Sequence, residues 1–269
     1  MSLKLYKKLF QKKYRLQYGL AIAEGKNAVE ALVNFFGFTI EEICISETLK
    51  LEKEFSFLNN TEKTNETQNI KISYYPGEEL ERVSKNSGGI FAVFDFKLVS
   101  EKLKKQFTET AKHKQKRTVI ILHSISDPGN LGTIIRAANA FWADAVFIAE
   151  KGVDEFNEKV IRSSAGSIFK IPVLRGEYSK IVKTLKEEGF TLLATSVSET
   201  AKKLTESDLH CEKTAFIFGN EAHGLTPEEI LLADAEIFIP ISENVESLNL
   251  ASAVSSILAL KTFCKSAIN

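Results

Sequence analysis

The sequence predicts an α/β protein: a parallel-sheet domain in the C-terminal part, preceded by a smaller α/β domain. Three observations carry this. From residue 118 onward, short runs rich in apolar, β-branched and aromatic residues (118–123, 145–149, 190–197, 215–218 and 236–240) alternate with helical patterns. That alternation is the pattern of buried parallel strands covered by helices on both faces. The length, 269 residues, exceeds the usual single domain and allows two cores. A basic linker over 98–117 separates a domain over 1–97 from one over 118–269.

Taken in order, the first domain shows helical patterns over 4–17 and 26–34 and strands over 42–46 and 90–94. Residues 59–69 contain nothing apolar to bury and read as a mobile loop. The lysine-rich linker is expected to be partly helical. The last helix, about 247–266, begins with Ala251, Ser252, Ala253, Ser255 and Ser256, small residues that let a backbone approach closely. No internal repeat is present. On physical grounds alone the strand–helix alternation gives an unknotted doubly wound sheet.

Composition narrows the function classes. The longest apolar runs fall far short of the roughly 20 residues of a membrane-spanning helix, and the start lacks a signal-like apolar core, so a cytoplasmic protein is expected. Cys44, Cys211 and Cys264 have no metal-ligand spacing and read as reduced core residues. The 35 basic and 35 acidic side chains cancel, yet they are unevenly spread. Residues 1–23 carry Lys4, Lys7, Lys8, Lys12, Lys13 and Arg15 with no acid. Residues 102–117 carry Lys102, Lys104, Lys105, Lys112, Lys114, Lys116 and Arg117 against Glu109 alone. Such clusters suit phosphate neutralisation, and equally a solvated helix face.

Chemistry concentrates at strand ends. The strand 215–218 runs into Gly219-Asn220-Glu221-Ala222-His223-Gly224, and the next into Ile239-Pro240 and then Ser247-Leu248-Asn249. The first strand of the domain ends in Ser126-Asp127-Pro128-Gly129-Asn130-Leu131-Gly132, ahead of a helix containing Arg136. In open α/β sheets, ligands bind at the carboxyl edge where such strands stop.

These three segments, in this order, resemble the three motifs of the SpoU/TrmH-like RNA 2′-O-ribose methyltransferases of the SPOUT superfamily: Asn130-x-Gly132-x-x-x-Arg136, Gly219-x-Glu221-x-x-Gly224, and Ile239-Pro240 with Ser247-Leu248-Asn249. The resemblance implies a deep trefoil knot in the C-terminal domain, S-adenosylmethionine as cofactor, RNA as substrate and a homodimer. It places the cofactor on the backbone near Gly219, Asn220, Gly224, Ile239 and Leu248. The first hundred residues resemble, through Arg15, Gly19, Glu24, Gly25 and 88–93, a ribosomal-protein-L30e-like substrate-binding domain. That favours ribosomal RNA, 23S in particular, over transfer RNA.

Methylating a ribose hydroxyl calls for a cofactor pocket, a phosphate anchor and help in removing a proton from a weak acid. No metal is required, and no His/Cys ligand cluster is present. By motif position Arg136, Asn130, Glu221, Ser247 and Asn249 form the expected catalytic set. The resemblance implies phosphate binding, and often proton abstraction, for Arg136; as a phosphate clamp it would stabilise developing negative charge, and its action as base is a hypothesis, because a guanidinium donates and does not accept hydrogen bonds. Ser247 also suits the N-cap of the final helix. Arg162 and Ser164, within 160–172, are expected RNA contacts beside Arg15 and Arg136. Trp142, His123 and Ala251 depart from the family pattern. A non-catalytic RNA-binding protein of the same fold is the main rival. A nucleotide-using enzyme with a doubly wound sheet is a weaker one, since 127–132 is not G-x-G-x-x-G.

Overall fold

The computed structural model describes residues 2–49, 56–58, 70–198 and 200–266; the 59–69 stretch lies outside these. The chain divides into two compact units, one holding residues up to Lys102 together with Asp154–Lys170, the other Leu103–Val153 and Ile171 onward. This differs from the expected division at 97 and 118 in two ways. Residues 98–117 are no separate linker, because Phe96–His113 forms one continuous helix, α5, that spans the boundary. Residues 154–170 return to the first unit, held there by part-buried ion pairs described below.

The first unit is built on β1 (Leu20–Glu24), β2 (Ile40–Ser46), β3 (Ile72–Tyr75) and β4 (Ile90–Asp95) in the order β1-β4-β2-β3. β4 runs antiparallel to β1 and β2, and β3 parallel to β2. The helix expected over 4–17 is broken into α1 (Leu3–Lys8) and α2 (Lys12–Tyr18), with Gln11 extended between them. The break frees two carbonyls, and Arg15 satisfies both: its Nη1 donates to Leu9 O and Phe10 O, each at 2.9 Å. The other side of the same guanidinium donates to Asp154 Oδ2 from Nη2 at 2.7 Å and from Nε at 3.1 Å. Arg15 is 3 % exposed. Burial and four committed N–H donors thus remove it from the expected RNA contacts.

The same unit carries α3 (Lys26–Phe36), α4 (Gly77–Val83) and α7 (Glu158–Ser163). Glu24, buried at the end of β1, accepts from the Ser84 hydroxyl and from Arg162 Nη1 at 2.7 Å. Burial drives the Glu24 carboxyl above the usual glutamate range, only partly offset by these two donors. Ser164 is wholly buried, its hydroxyl donating to Ile161 O at 2.8 Å. The two RNA contacts expected in this segment are therefore a fully enclosed serine and an arginine committed to a buried carboxylate.

The second unit is an all-parallel seven-stranded sheet: β5 (Arg117–His123), β6 (Ala145–Ala149), β7 (Val173–Gly176), β8 (Thr191–Thr195), β9 (Lys202–Lys203), β10 (Lys213–Phe218) and β11 (Ala235–Phe238), in the order β7-β6-β5-β10-β8-β11-β9. β5, β6 and most of β10 are buried along their whole length, as expected of central parallel strands. The chain proceeds outward from β5 through β6 to β7 and then crosses to β8, so the order reverses between β5 and β10. Ligands of open α/β sheets bind at the carboxyl edge near such a reversal.

Helices α6 (Pro128–Ala140), α8 (Tyr178–Glu187), α9 (Glu206–His210), α10 (Pro227–Ile230) and α11 (Leu250–Ser266) complete this unit. Val119, Ile121, Phe147, Leu185, Leu192 and Ile217 belong to one apolar core with Phe107 of α5. Arg117, counted above among phosphate-neutralising residues, is 1 % exposed. It lies against the rings of Phe107 and Phe190 and donates to Glu188 Oε2 at 2.7 Å. Its charge is spent inside the unit. The remaining lysines of the two basic clusters, Lys4, Lys7, Lys8, Lys12, Lys13, Lys102, Lys104, Lys105, Lys112, Lys114 and Lys116, are exposed. Lys261 of α11 is buried and fastens the last helix through Thr214 Oγ1 at 2.8 Å and Cys211 O at 2.7 Å. The three cysteines are free as expected, although only Cys44 is buried.

Candidate active site

A cavity of about 540 Å³ opens at the carboxyl ends of β8, β10 and β11, wholly within the second unit. Its wall combines Phe218 and the Gly219–Gly224 turn after β10, Thr195, Ser196 and Val197 after β8, Ile239 and Ile241 after β11, and Ser247, Leu248 and Asn249 before α11. Asn130 of α6 also reaches it. Residues from all three sequence motifs, up to 119 positions apart, therefore line one space.

Glu221 organises the meeting point. Its Oε2 accepts from Ser126 N at 3.1 Å and Ser126 Oγ at 2.8 Å. Its Oε1 accepts from Asp127 N at 3.1 Å and Asn130 Nδ2 at 3.2 Å. Partial burial raises the carboxyl pKa, but these donors and a backbone hydrogen bond within the turn outweigh it. Glu221 consequently titrates below the usual glutamate range. Asn130 passes the chain on, its Oδ1 accepting from Asn249 Nδ2 at 3.0 Å. Asp127 caps α6 by accepting from Asn130 N at 2.7 Å, with Pro128 in the first turn.

The turn that carries Glu221 is closed by paired bonds between Asn220 and Gly224, N to O at 3.1 Å and 2.9 Å. Asn220 Oδ1 accepts from Ala222 N and His223 N, and its Nδ2 donates to Ser124 O at 2.9 Å. Gly224 adopts φ +67°, the left-handed region in which glycine carries no penalty. Gly219 is required by packing: an added Cβ would overlap the Gly224 carbonyl and lie 2.5 Å from Leu225 N. The tight turn by itself thus demands glycine at 219, whatever approaches the cavity from outside.

The N-cap of α11 is Asn249, not Ser247. Its Oδ1 accepts from Ala251 N at 2.9 Å and Ser252 N at 3.3 Å while its Nδ2 holds Asn130. Helix capping frees Ser247 to face the cavity. Arg136 lies on the exposed face of α6, beyond the cavity wall. Trp142, just past α6, is 71 % exposed with φ 55°. His123 pairs with Glu229 at 3.1 Å and stacks edge-on with Tyr178, so it is enclosed by packing away from the cavity.

Sequence reasoning missed the β8 contribution. Thr195, Ser196 and Val197 reach the cavity because β8 lies between β10 and β11 in the sheet, although 17 residues, 196–212, separate it from β10 in the chain. Thr195 Oγ1 donates to Ile217 O at 2.9 Å and Ser196 Oγ to Glu236 Oε1 at 2.7 Å, which pin this edge. A strand ending in small hydroxyl residues was the available signal. His223 was also missed as a wall residue.

The size lies in the range of pockets that enclose small organic ligands. Apolar Phe218, Ile239, Ile241 and Leu248 suit a purine ring, and the hydroxyls of Thr195, Ser196 and Ser247 with the amide of Asn220 suit sugar and amino-acid polar groups. The residues present therefore fit S-adenosylmethionine. Residues 117–259 match the model of the SpoU rRNA methylase family. The chain belongs to that family. A relative in Bacillus subtilis, the 23S rRNA (guanosine(2553)-2′-O)-methyltransferase RlmP, is 28% identical over 94% of this chain and 93% of its own. Among solved structures, the SpoU methyltransferase AviRb from Streptomyces viridochromogenes superposes with TM-score 0.82, 19% identity, and coverage of 99% and 98%. An AdoMet-bound rRNA methyltransferase from Sinorhizobium meliloti gives 0.76 at 23% identity, covering 96% and 93%. These two likenesses bear on the fold, and their superposition extends over nearly the whole chain.

Proposed function

We propose that this chain methylates a ribose 2′-hydroxyl of ribosomal RNA with S-adenosylmethionine as methyl donor, 23S rRNA being the favoured substrate. The cavity carries this reading: it gathers Asn130, the 219–224 turn and the 239–249 segment at one sheet edge, in a chain of the SpoU family. Gly219, Asn220, Gly224, Ile239 and Leu248 would hold the cofactor, which supplies an activated methyl group. Glu221, kept ionised by its donors, fixes the 124–130 loop and Asn130 at the cavity mouth. Asn249 ties that loop to α11. Arg136, on the exposed face of α6, is assigned to the phosphate beside the target ribose. The proposed assembly is a metal-free cytoplasmic homodimer with a knotted second unit. Its L30e-like first unit would meet RNA through the exposed lysines of α1 and α2.

Incubation with methyl-labelled S-adenosylmethionine and unmodified ribosomal RNA tests this. Label is expected on one ribose 2′-oxygen. Arg136→Ala should lose at least 100-fold in transfer, the order of one removed charge-stabilising donor, while binding cofactor as the parent does. Failure of the parent protein to bind cofactor would overturn the assignment.

A further inference from the structure

We propose that the first unit carries a stacking site for unpaired RNA bases, formed by Phe35 and Phe38 with Lys102 and Lys170, an inference resting on the RNA methyltransferase reading above. All four residues belong to that unit. Phe35, near the end of α3, is 49 % exposed, and Phe38 just beyond the helix is half-buried. A single exposed phenylalanine is ordinary on a protein surface. Here each ring has an ammonium beside it: Lys170 Nζ lies 5.9 Å from the Phe35 centroid, and Lys102 Nζ lies 4.6 Å from that of Phe38. Neither ammonium forms an ion pair or hydrogen bond with a described residue, the exposed Glu41 and Glu101 included. Three of the four residues precede 117–259, so the site stands apart from the stretch that matches the methylase family.

The fold holds these groups in place. Phe38 lies against Phe36, with ring centroids 6.4 Å apart, and Phe36 continues into the buried rings of Phe169 and Phe94. Gly166 sits so close on α3 that an added Cβ would lie 2.7 Å from Asn27 O and 2.8 Å from Ala31 Cβ. That seat fixes Lys170, four residues on, beside Phe35. An apolar partner covering the rings would also have to bury two unpaired ammonium groups, at a large desolvation cost. A nucleotide complements both parts, because every base has a π face for a ring and each phosphate takes a cation. Cation–π contact at an exposed site is weak, so the lysines can swing from the rings to phosphate as bases enter. A duplex keeps its bases stacked inside and cannot use the rings; loops and single strands can.

The test uses the full chain without cofactor and a short oligoadenylate, either single-stranded or annealed to oligouridylate. Phe35→Ala should weaken single-strand binding about 5- to 150-fold, the worth of one stacked base, and leave duplex binding as in the parent. Phe35→Trp should bind the single strand at least as tightly as the parent does. Replacing Lys102 and Lys170 by alanine should lower the slope of log affinity against log salt by about 0.7 for each lysine. With ribosomal RNA and labelled S-adenosylmethionine, Phe35→Ala should raise KM for RNA and leave kcat and cofactor binding unchanged. Unchanged single-strand affinity in Phe35→Ala, or equal weakening of single strand and duplex, would overturn the proposal. So would a changed oligomeric state of Phe35→Ala in sedimentation, which would assign the patch to a second copy of the chain. A parent that binds single strands through these residues yet transfers no methyl would overturn the methyltransferase reading alone.

Discussion

Replacing Glu221 by glutamine keeps the shape and removes the charge at the point where three segments meet. The amide must present its NH₂ to one of two donor pairs. The less costly placement sets it against Ser126, whose hydroxyl can turn to accept; Ser126 N–H then loses its acceptor, while Asp127 N and Asn130 Nδ2 keep theirs. One charge-assisted bond is lost and the others become neutral, which costs about 1.5–3 kcal/mol in a buried setting. These contacts are solvent-exposed, so about 1–2 kcal/mol is expected. Because two units unfold in this chain, a single melting temperature is a poor measure. Hydrogen exchange at the amides of Ser126 and Asp127 reads the site directly, and should quicken roughly 5- to 30-fold. The pH dependence has a definite sign. The folded pKa of Glu221 lies below the ordinary value of 4.5, so its contribution is complete above 4.5 and is lost as pH falls through the folded value. The gap between parent and Glu221→Gln should therefore be full at pH 7 and close in acid. Equal exchange at pH 7, or a gap that widens in acid, would refute this account of the site.

Two further substitutions separate roles within the cavity. Gly219→Ala should cost about 1–3 kcal/mol and loosen cofactor binding, since the new methyl displaces the Gly224–Leu225 backbone; calorimetry of S-adenosylmethionine binding together with urea unfolding checks this. Asn249→Ala removes the α11 cap and the tie to Asn130, at about 1–2 kcal/mol. Asn249→Ser should restore the cap, hence most of the stability, but not the transfer rate.

Much of the second unit was legible in sequence because the physics there is local. The expected strands at 118–123, 145–149 and 215–218 appear within a few residues, since a strand buried on both faces must be continuously apolar; the one at 236–240 appears as Ala235–Phe238, only partly buried. The motif glycines and the Asn130, Glu221 and Asn249 side chains were visible as residues out of keeping with an apolar run. The short edge pieces were not: β7 and β9 are partly or fully exposed and lack that pattern. Nor was the break between α1 and α2, which depends on a buried arginine bridging to Asp154, 139 positions away.

The sequence by itself determined the α/β class, the two-part organisation and the identity of most residues at the sheet edge, because composition, strand periodicity and turn chemistry act over a few residues. Tertiary structure alone decided which charges serve the interior. Arg15, Arg117 and Arg162 look in sequence like cations for phosphate, and become partners of Asp154, Glu188 and Glu24. It also decided that Asn249 rather than Ser247 caps α11, that Gly219 is compelled by its own turn, and that β8 brings Thr195 and Ser196 to the cavity. Each of these is a pairing between distant positions. Strand order and burial bring such positions together, and no local spacing encodes either.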